Sequence, residues 1–274
     1  MIDVFESGVL HIFKQQICIW NLSECISSVW DFDRGVNLSN TDNFVMAFQE
    51  IIDTINVYRP DVICFQEFPV LINGEDYLRK AIIDNTELKY CEYIDTCPSF
   101  LFEGGRIGIV TFSKRQLPRN EIVFFNNPNL EKVSRTGKVY RSFDKAFMIS
   151  SLSDNLLLYN CHGISFAPFG KKAKDYPESY LPLYESIVKN SDKKLIITGD
   201  LNTREFILMF PQLKPIITDK LKGATTPPGW REGRYYPKGK KLDSFFVTAG
   251  IEVKEIKKVK NFSDHYLCVF TCEF

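Results

Sequence analysis

One pattern recurs along this chain: a run of apolar, β-forming residues that ends abruptly on an acid, an amide or an imidazole. It occurs in QICIWNLS at 16–23, DVICFQEF at 61–68, LLLYNCHGIS at 156–165 and LIITGDLN at 195–202. KLDSFFVTAG at 241–250 and DHYLCVFTCEF at 264–274 carry the same feature, with the polar residue first. Such runs read as interior strands. A Gly-Asp pair at the end of one is a poor choice for stability, so the strand ends themselves need an explanation.

Between the first two runs, Phe44, Val45, Phe48, Ile51, Ile52 and Ile55 recur at the helical period. Ser39 or Thr41 is expected to cap that helix and Pro60 to stop it. A second helix is expected within 75–90, after the Asn73-Gly74 turn. GGRIGIVTFSK at 104–114 reads as a strand and residues 116–130 as a loop. RSFDKAFMISSL at 141–152 reads as one strand, turning at Ser153–Asn155 into the next. Pro177 and Pro182 break the following segment, with a helix expected from Leu183 to Val188, and residues 203–240 read as loop-rich. Strands in two groups with helices between them predict an α/β chain of two packed sheets flanked by helices. With no repeat or linker visible, one domain over residues 1–274 is expected.

The 34 basic and 34 acidic residues cancel, which argues against non-specific coating of nucleic acid but not against an enzyme with a local basic groove. None of the eight cysteines forms a CxxC pair, so a zinc ribbon or redox motif is not expected, and buried reduced thiols are. The N-terminus does not resemble a secretory signal and no window reaches the length of a membrane span. The expectation is a cytoplasmic protein without membrane insertion.

The polar strand ends form a chemical inventory: Asn21, Glu67, Asn160, His162, Asp200, Asn202, Asp243, Asp264 and His265. Strands side by side bring such ends to one edge. The chain has three histidines, and His162 and His265 both belong to this set. Carboxylates suit a hard divalent cation, with Glu67 the natural ligand. An imidazole or carboxylate beside phosphorus can align water, and cationic donors can stabilise charge on phosphate oxygens. The mixture fits metal-assisted hydrolysis of a phosphate ester and fits zinc poorly.

WNLSE, DVICFQE, GRIGIVTFSK, YNCHGIS, IITGDLN, LDSFFV and SDHYLCVF occur in that order, and they resemble the motif series of the endonuclease/exonuclease/phosphatase superfamily, the DNase I-like enzymes, across residues 16–270. The resemblance implies a four-layered α/β sandwich with two face-to-face mixed sheets and helices outside. It implies Mg²⁺, with Mn²⁺ as a substitute, and cleavage of a phosphodiester or phosphomonoester. On this resemblance Glu67 holds the metal, with Asn21 beside it and Asp264 nearby through water. Asp200 aligns or deprotonates the attacking water, Asn202 holds the phosphate, and Asp243 orients His265, which meets a non-bridging oxygen or moves a proton. The Asn160-Cys161-His162 form resembles the DNase I, deadenylase and sphingomyelinase branches more than the abasic-site endonucleases. KLD, with Lys241, departs from the usual Arg-Ile-Asp form and makes Asp243 the least secure member.

Arg141 and Lys145 are candidate substrate contacts, as are Arg234 and Tyr235 beside PKGKK at 237–241, where bases could stack among phosphate-binding cations. A nuclease acting on DNA or RNA is the first reading. A phosphatase or phosphodiesterase acting on a phosphorylated small molecule or lipid headgroup is the second, and a catalytically silent binding protein the third.

Overall fold

The computed structural model describes residues 14–25, 41–72, 74–99, 104–133, 137, 139–231 and 234–274, without the side chains of 41–46, 119–120, 230–231 and 234. His11 and Ser39 lie outside the described residues. The first half of the chain runs β1 (Lys14–Asn21), α1 (Thr41–Tyr58), β2 (Val62–Leu71), α2 (Tyr77–Asn85), β3 (Tyr90–Pro98), β4 (Arg106–Ser113) and β5 (Arg119–Phe124). There follow β6 (Glu131–Val133), β7 (Val139–Arg141), β8 (Ala146–Ser153), β9 (Leu156–His162), α3 (Leu181–Lys189) and β10 (Lys194–Asp200). The last part holds α4 (Phe206–Met209), β11 (Ile217–Asp219), β12 (Gly229–Arg231), β13 (Arg234–Tyr236), β14 (Asp243–Thr248), β15 (Glu252–Val259) and β16 (Leu267–Glu273).

Two six-stranded sheets result, ordered β15-β16-β1-β2-β4-β3 and β11-β14-β10-β9-β8-β5. Each is mixed: β1–β2 and β9–β10 are parallel, and the other neighbours are antiparallel. Strand alternation then explains the unbroken apolar runs. On β1, Ile17 and Ile19 face the seam between the sheets, while Cys18 and Trp20 face outward under the helices. On β9, Leu156 and Leu158 take the seam, and Leu157, Tyr159 and Cys161 the outer face. Phe245 of one sheet stacks on Phe270 of the other, ring centroids 3.7 Å apart.

Helices close the outer faces. Ala47, Ile51 and Ile55 of α1, at i, i+4 spacing, pack with Leu78 and Ile82 of α2 against the first sheet. Leu183 and Ile187 of α3, with Phe206, Phe210 and Leu213, cover the second. Helix, sheet, sheet, helix is the four-layered α/β sandwich expected from the motifs. Arg59 ends α1 in the left-handed region, φ 47°, and Pro60 follows it.

Several local expectations change. Strands β3, β5, β11 and β15 were not legible, and each is the edge strand of a sheet. Pro182 sits in the first turn of α3 and starts the helix, where its missing N–H costs nothing. Segment 141–152 is not one strand. Ser142 Oγ donates to Asn127 Oδ1 (2.7 Å) and Asn127 Nδ2 donates to Asp144 Oδ1 (2.9 Å), holding a loop open until β8 begins at Ala146. All eight cysteines are free thiols, and Cys91 alone among them is half-buried instead of buried.

Candidate active site

Register assembles the site. Asp200 pairs with His162 across β9–β10 and with Asp243 across β10–β14, so the three stand in one row at one end of the second sheet. Each shares its strand face with a seam residue: His162 with Leu158, Asp200 with Ile196 and Asp243 with Phe245. Gly199 makes this close pairing possible. Its φ is 120°, and a Cβ there would lie 2.1 Å from the Cys161 carbonyl oxygen. The glycine therefore serves a close strand approach inside β10. The turn begins after Asp200 and passes through Asn202, itself left-handed at φ 54°.

The first sheet supplies Asn21, at the end of β1, and Glu67. Strand β2 does not stop at Glu67 but continues to Leu71, and a bulge marks the position. Phe65 pairs with Val110 and Phe68 with Gly108, leaving Gln66 and Glu67 opposite a single residue. Glu67 takes φ 47°. Plain alternation would send it outward with Ile63 and Phe65 into the helix-covered core. The bulge turns it back into the seam, where Oε1 comes 3.5 Å from His162 Nε2. A left-handed non-glycine residue stores strain of about 1–3 kcal/mol, which the surrounding fold must hold.

His265 Nδ1 and Asp243 Oδ2 are 2.9 Å apart, and the opposite nitrogen, Nε2, faces Asp200 Oδ2 at 3.8 Å and Asp264 Oδ1 at 3.9 Å. Asp200 Oδ1 accepts the Asn202 N–H (2.7 Å), and its Oδ2 accepts Asn21 Nδ2 (3.0 Å). Asn202 Nδ2 donates to the Gly163 carbonyl (3.0 Å). An Asx turn after a strand is thus present, and its carboxylate also faces the histidine. Lys145 Nζ lies 3.4 Å from His162 Nδ1, completing a chain from lysine through imidazole to Glu67.

Asp200, Asp243, His162 and His265 are all buried, while Glu67 is 27 % exposed. Burial pushes the Glu67 carboxyl up, but the His162 contact and the charges of Lys145 and His265 outweigh it and hold the group at about 2. Burial, with Lys145 beside it, lowers the His162 imidazole to about 4 against the pull of Glu67. That ring is neutral at neutral pH, where Lys145 and His265 carry the positive charge that Glu67 meets. His265 behaves oppositely: burial lowers it, but Asp243, Asp264 and Asp200 raise it to about 10. Burial raises the Asp200 carboxyl, opposed by His265 and reinforced by Asp243.

Asp200, Asp243 and His265 offer ligand atoms within 4.8 Å of one another. Carboxylate oxygens dominate the set, and Glu67 adds another within electrostatic reach of His265. The donors fit a hard divalent cation such as Mg²⁺ or Mn²⁺. Asn21, expected on the metal, spends its carboxamide differently: Nδ2 goes to Asp200, and Oδ1 accepts the Ser23 N–H at 2.9 Å. Its observed part is to hold the carboxylate. Asp264, 32 % exposed, borders the group through His265.

Two expected site residues stand elsewhere. Asn160 shares the seam face with His162, but its carboxamide is consumed between the sheets. It accepts from Gln66 Nε2 (2.8 Å) and donates to the Val110 carbonyl (3.0 Å) and Thr111 Oγ1 (3.1 Å). It is a clamp joining β9 to β2 and β4. Arg141 is exposed on the β6–β7 ribbon, paired with Glu131 at 2.7 Å, and makes none of the contacts above. Lys145, by contrast, is buried and joins the site. Tyr235 is 49 % exposed on β13, and the side chain of Arg234 lies outside the described residues. Lys241, the departure in the KLD motif, pairs with Asp219 of β11 at 2.6 Å and leaves Asp243 in register with Asp200.

The supporting contacts carried no sequence signal. Ser263 Oγ accepts the His265 N–H (3.1 Å) and donates to the Asn21 carbonyl (2.7 Å), tying the histidine loop to β1. Asn261 Oδ1 accepts from Trp20 Nε1 (3.1 Å) and the Ser263 N–H (2.7 Å). Thr225 Oγ1 accepts the Asp243 N–H (3.0 Å), and the Tyr180 hydroxyl donates to the Leu201 carbonyl (2.8 Å). The contacts of Ser263 and Asn261 to β1 span 242 and 241 residues, and those of Thr225 and Tyr180 span 18 and 21.

Solved structures share this architecture. An endonuclease/exonuclease/phosphatase family protein from Leptotrichia buccalis superposes with a TM-score of 0.62 at 18 % identity, covering 95 % of this chain and 100 % of that one. ANGEL2, a 2′,3′-cyclic phosphatase in complex with adenosine-2′,3′-vanadate, gives 0.65 at 11 % identity, with 97 % of each chain covered. The human Nocturnin catalytic domain with bound sulfate gives 0.58 at 12 %, covering 94 % and 93 %. No curated protein matches the chain by sequence. The family description Endonuclease/Exonuclease/phosphatase matches residues 20–265, nearly the whole chain and every member of the site, and the chain therefore belongs to that family of phosphoric ester hydrolases.

Proposed function

We propose that the chain is a Mg²⁺-dependent phosphodiesterase, with Mn²⁺ as a substitute, that hydrolyses DNA or RNA. The observation that carries this reading is the convergence of Glu67 and His162 with the Asp200–Asp243–His265 group on one end of the seam between the sheets. Glu67 would hold the cation, joined by oxygens of the Asp200 group. A divalent ion bound there supplies Lewis-acid polarisation of a phosphoryl oxygen.

The chain's own groups divide the remaining work. Asp200, held by Asn202 N–H and Asn21 Nδ2, aligns the attacking water and takes up its proton; the raised carboxyl suits that part. His265, kept cationic by Asp243, presents Nε2 to a non-bridging oxygen, where preorganised charge stabilises the transition state. His162 Nε2 supplies a further donor from beside Glu67. A nucleic-acid substrate is supported by the segment that leads into Asp243. There Tyr235 is half exposed, and Lys240 stands 4.9 Å over the Tyr236 ring. Balanced charge, 34 against 34, favours the second reading, a phosphorylated small molecule or lipid headgroup. No helix among the described residues is long and apolar enough to cross a membrane, and a cytoplasmic site of action is part of the proposal.

The test offers purified protein and Mg²⁺ labelled single- and double-stranded DNA, RNA, inositol phosphates and sphingomyelin, beside Glu67→Ala. Nucleic-acid turnover that Glu67→Ala, Asp200→Ala and His265→Ala each reduce by about 10³-fold or more is the expected result. Turnover confined to headgroups establishes the second reading. No turnover of any substrate, with no cation binding, overturns both.

A further inference from the structure

The two site histidines sit on opposite charges. His265 Nδ1 meets a carboxylate, Asp243, whereas His162 Nδ1 meets the ammonium of Lys145 at 3.4 Å. An ammonium has donors and no acceptor. It can satisfy Nδ1 only if that nitrogen carries a lone pair. At the other edge of the ring, Nε2 is buried without a hydrogen-bond partner among the described residues and aims at Glu67 Oε1, 3.5 Å away. A carboxylate is an acceptor only, so it favours a proton on Nε2. The alternative tautomer would set N–H against ammonium on one side and lone pair against carboxylate on the other. Both ends of the ring oppose it.

We infer that Lys145 is a positioning residue that fixes His162 in the Nε2–H tautomer, so that an N–H, not a lone pair, is aimed at the Glu67 side of the seam. The lysine is placed for this part. It is 7 % exposed, immediately precedes β8, and its backbone carbonyl accepts the Phe125 N–H at 2.8 Å. The buried, unpartnered Nε2 marks where an acceptor belongs, and a phosphate oxygen is of the right kind. That last consequence rests on the phosphodiesterase reading; the tautomer does not.

The experiment records long-range ¹H–¹⁵N correlations of the full chain labelled with ring-¹⁵N histidine, at neutral pH, with and without Mg²⁺. Three histidines give a tractable spectrum, and His162→Gln assigns the signal. An Nε2-protonated pattern for His162 is expected in the unaltered chain. Lys145→Met is expected to shift it to a mixture or to the other tautomer, and Lys145→Arg to keep it. An Nδ1-protonated pattern in the unaltered chain overturns the inference outright, whether or not any variant folds. An unchanged pattern in folded Lys145→Met overturns the part given to the lysine. Because the readout needs no turnover, the expected pattern in a chain that hydrolyses nothing would retain this inference while removing the proposed function.

Discussion

Asp243 is the residue on which the assignment of His265 turns. It holds Nδ1 at 2.9 Å and is itself buried, so its carboxylate both orients the ring and keeps it cationic. Asp243→Asn preserves the shape and removes the charge. By analogy with other carboxylate–histidine pairs, kcat should fall by about 10²–10⁴-fold with little change in KM. Steady-state kinetics on the preferred substrate checks this, and a kcat within threefold of normal would take the pair out of the mechanism. At the same scale the motifs name residue types but not the neighbours those residues meet. Asp243 was the least secure member by motif, because Lys241 replaces the usual arginine. In the fold Lys241 is absorbed by Asp219 and the aspartate stays in register.

Elements hold the site through two contacts, one at Asn160 and one at Gly199. Asn160 lies two residues from His162 and looks catalytic, yet its carboxamide is wholly engaged with β2 and β4. Removing it leaves Gln66 Nε2 and the Val110 carbonyl short of a buried partner. Asn160→Ala should cost about 2–4 kcal/mol in urea unfolding, while kcat of the folded protein stays within about tenfold. A catalytic asparagine would show the reverse. Gly199 is the second contact. Alanine there meets both a φ of 120° and a backbone oxygen 2.1 Å from its Cβ. Gly199→Ala should destabilise by about 3 kcal/mol or more, readable as a lowered Tm, because β9 and β10 cannot separate without dismantling the His162–Asp200 row.

For the whole molecule, the unusual term is the set of eight thiols in the sandwich. Burial pushes every one of them up from an ordinary value near 9, with Cys64, Cys91 and Cys272 reaching about 12. A thiol with a raised folded value stays protonated between pH 9 and 12 while its unfolded counterpart ionises. The unfolded state then binds fewer protons, and stability falls as pH rises. Each such thiol contributes about 1.4 kcal/mol per pH unit in that window. Urea midpoints under reducing conditions should hold steady below pH 9 and drop steeply above it. Cys64→Ala should make the alkaline slope shallower by one proton. An unchanged midpoint up to pH 10 would show that the thiols do not differ between the two states.

Apolar patterning along the chain specifies the interior strands. Strands β1, β2, β4 and β16 of one sheet and β8, β9, β10 and β14 of the other were all legible, since burial on both faces demands near-continuous apolar runs. Their polar ends are the residues that the fold gathers at one end of the seam: Asp200, His162 and Asp243 by register, and Glu67 by its approach to His162. Tertiary structure alone decided the four edge strands, whose exposed faces accept any polar residue, as the charged EVKEIKKV of β15 illustrates. It also decided the bulge that turns Glu67 inward and the lysine that meets His162. Those depend on register and on contacts between segments 17 to 95 residues apart, and no local pattern of side chains encodes a distance across a fold.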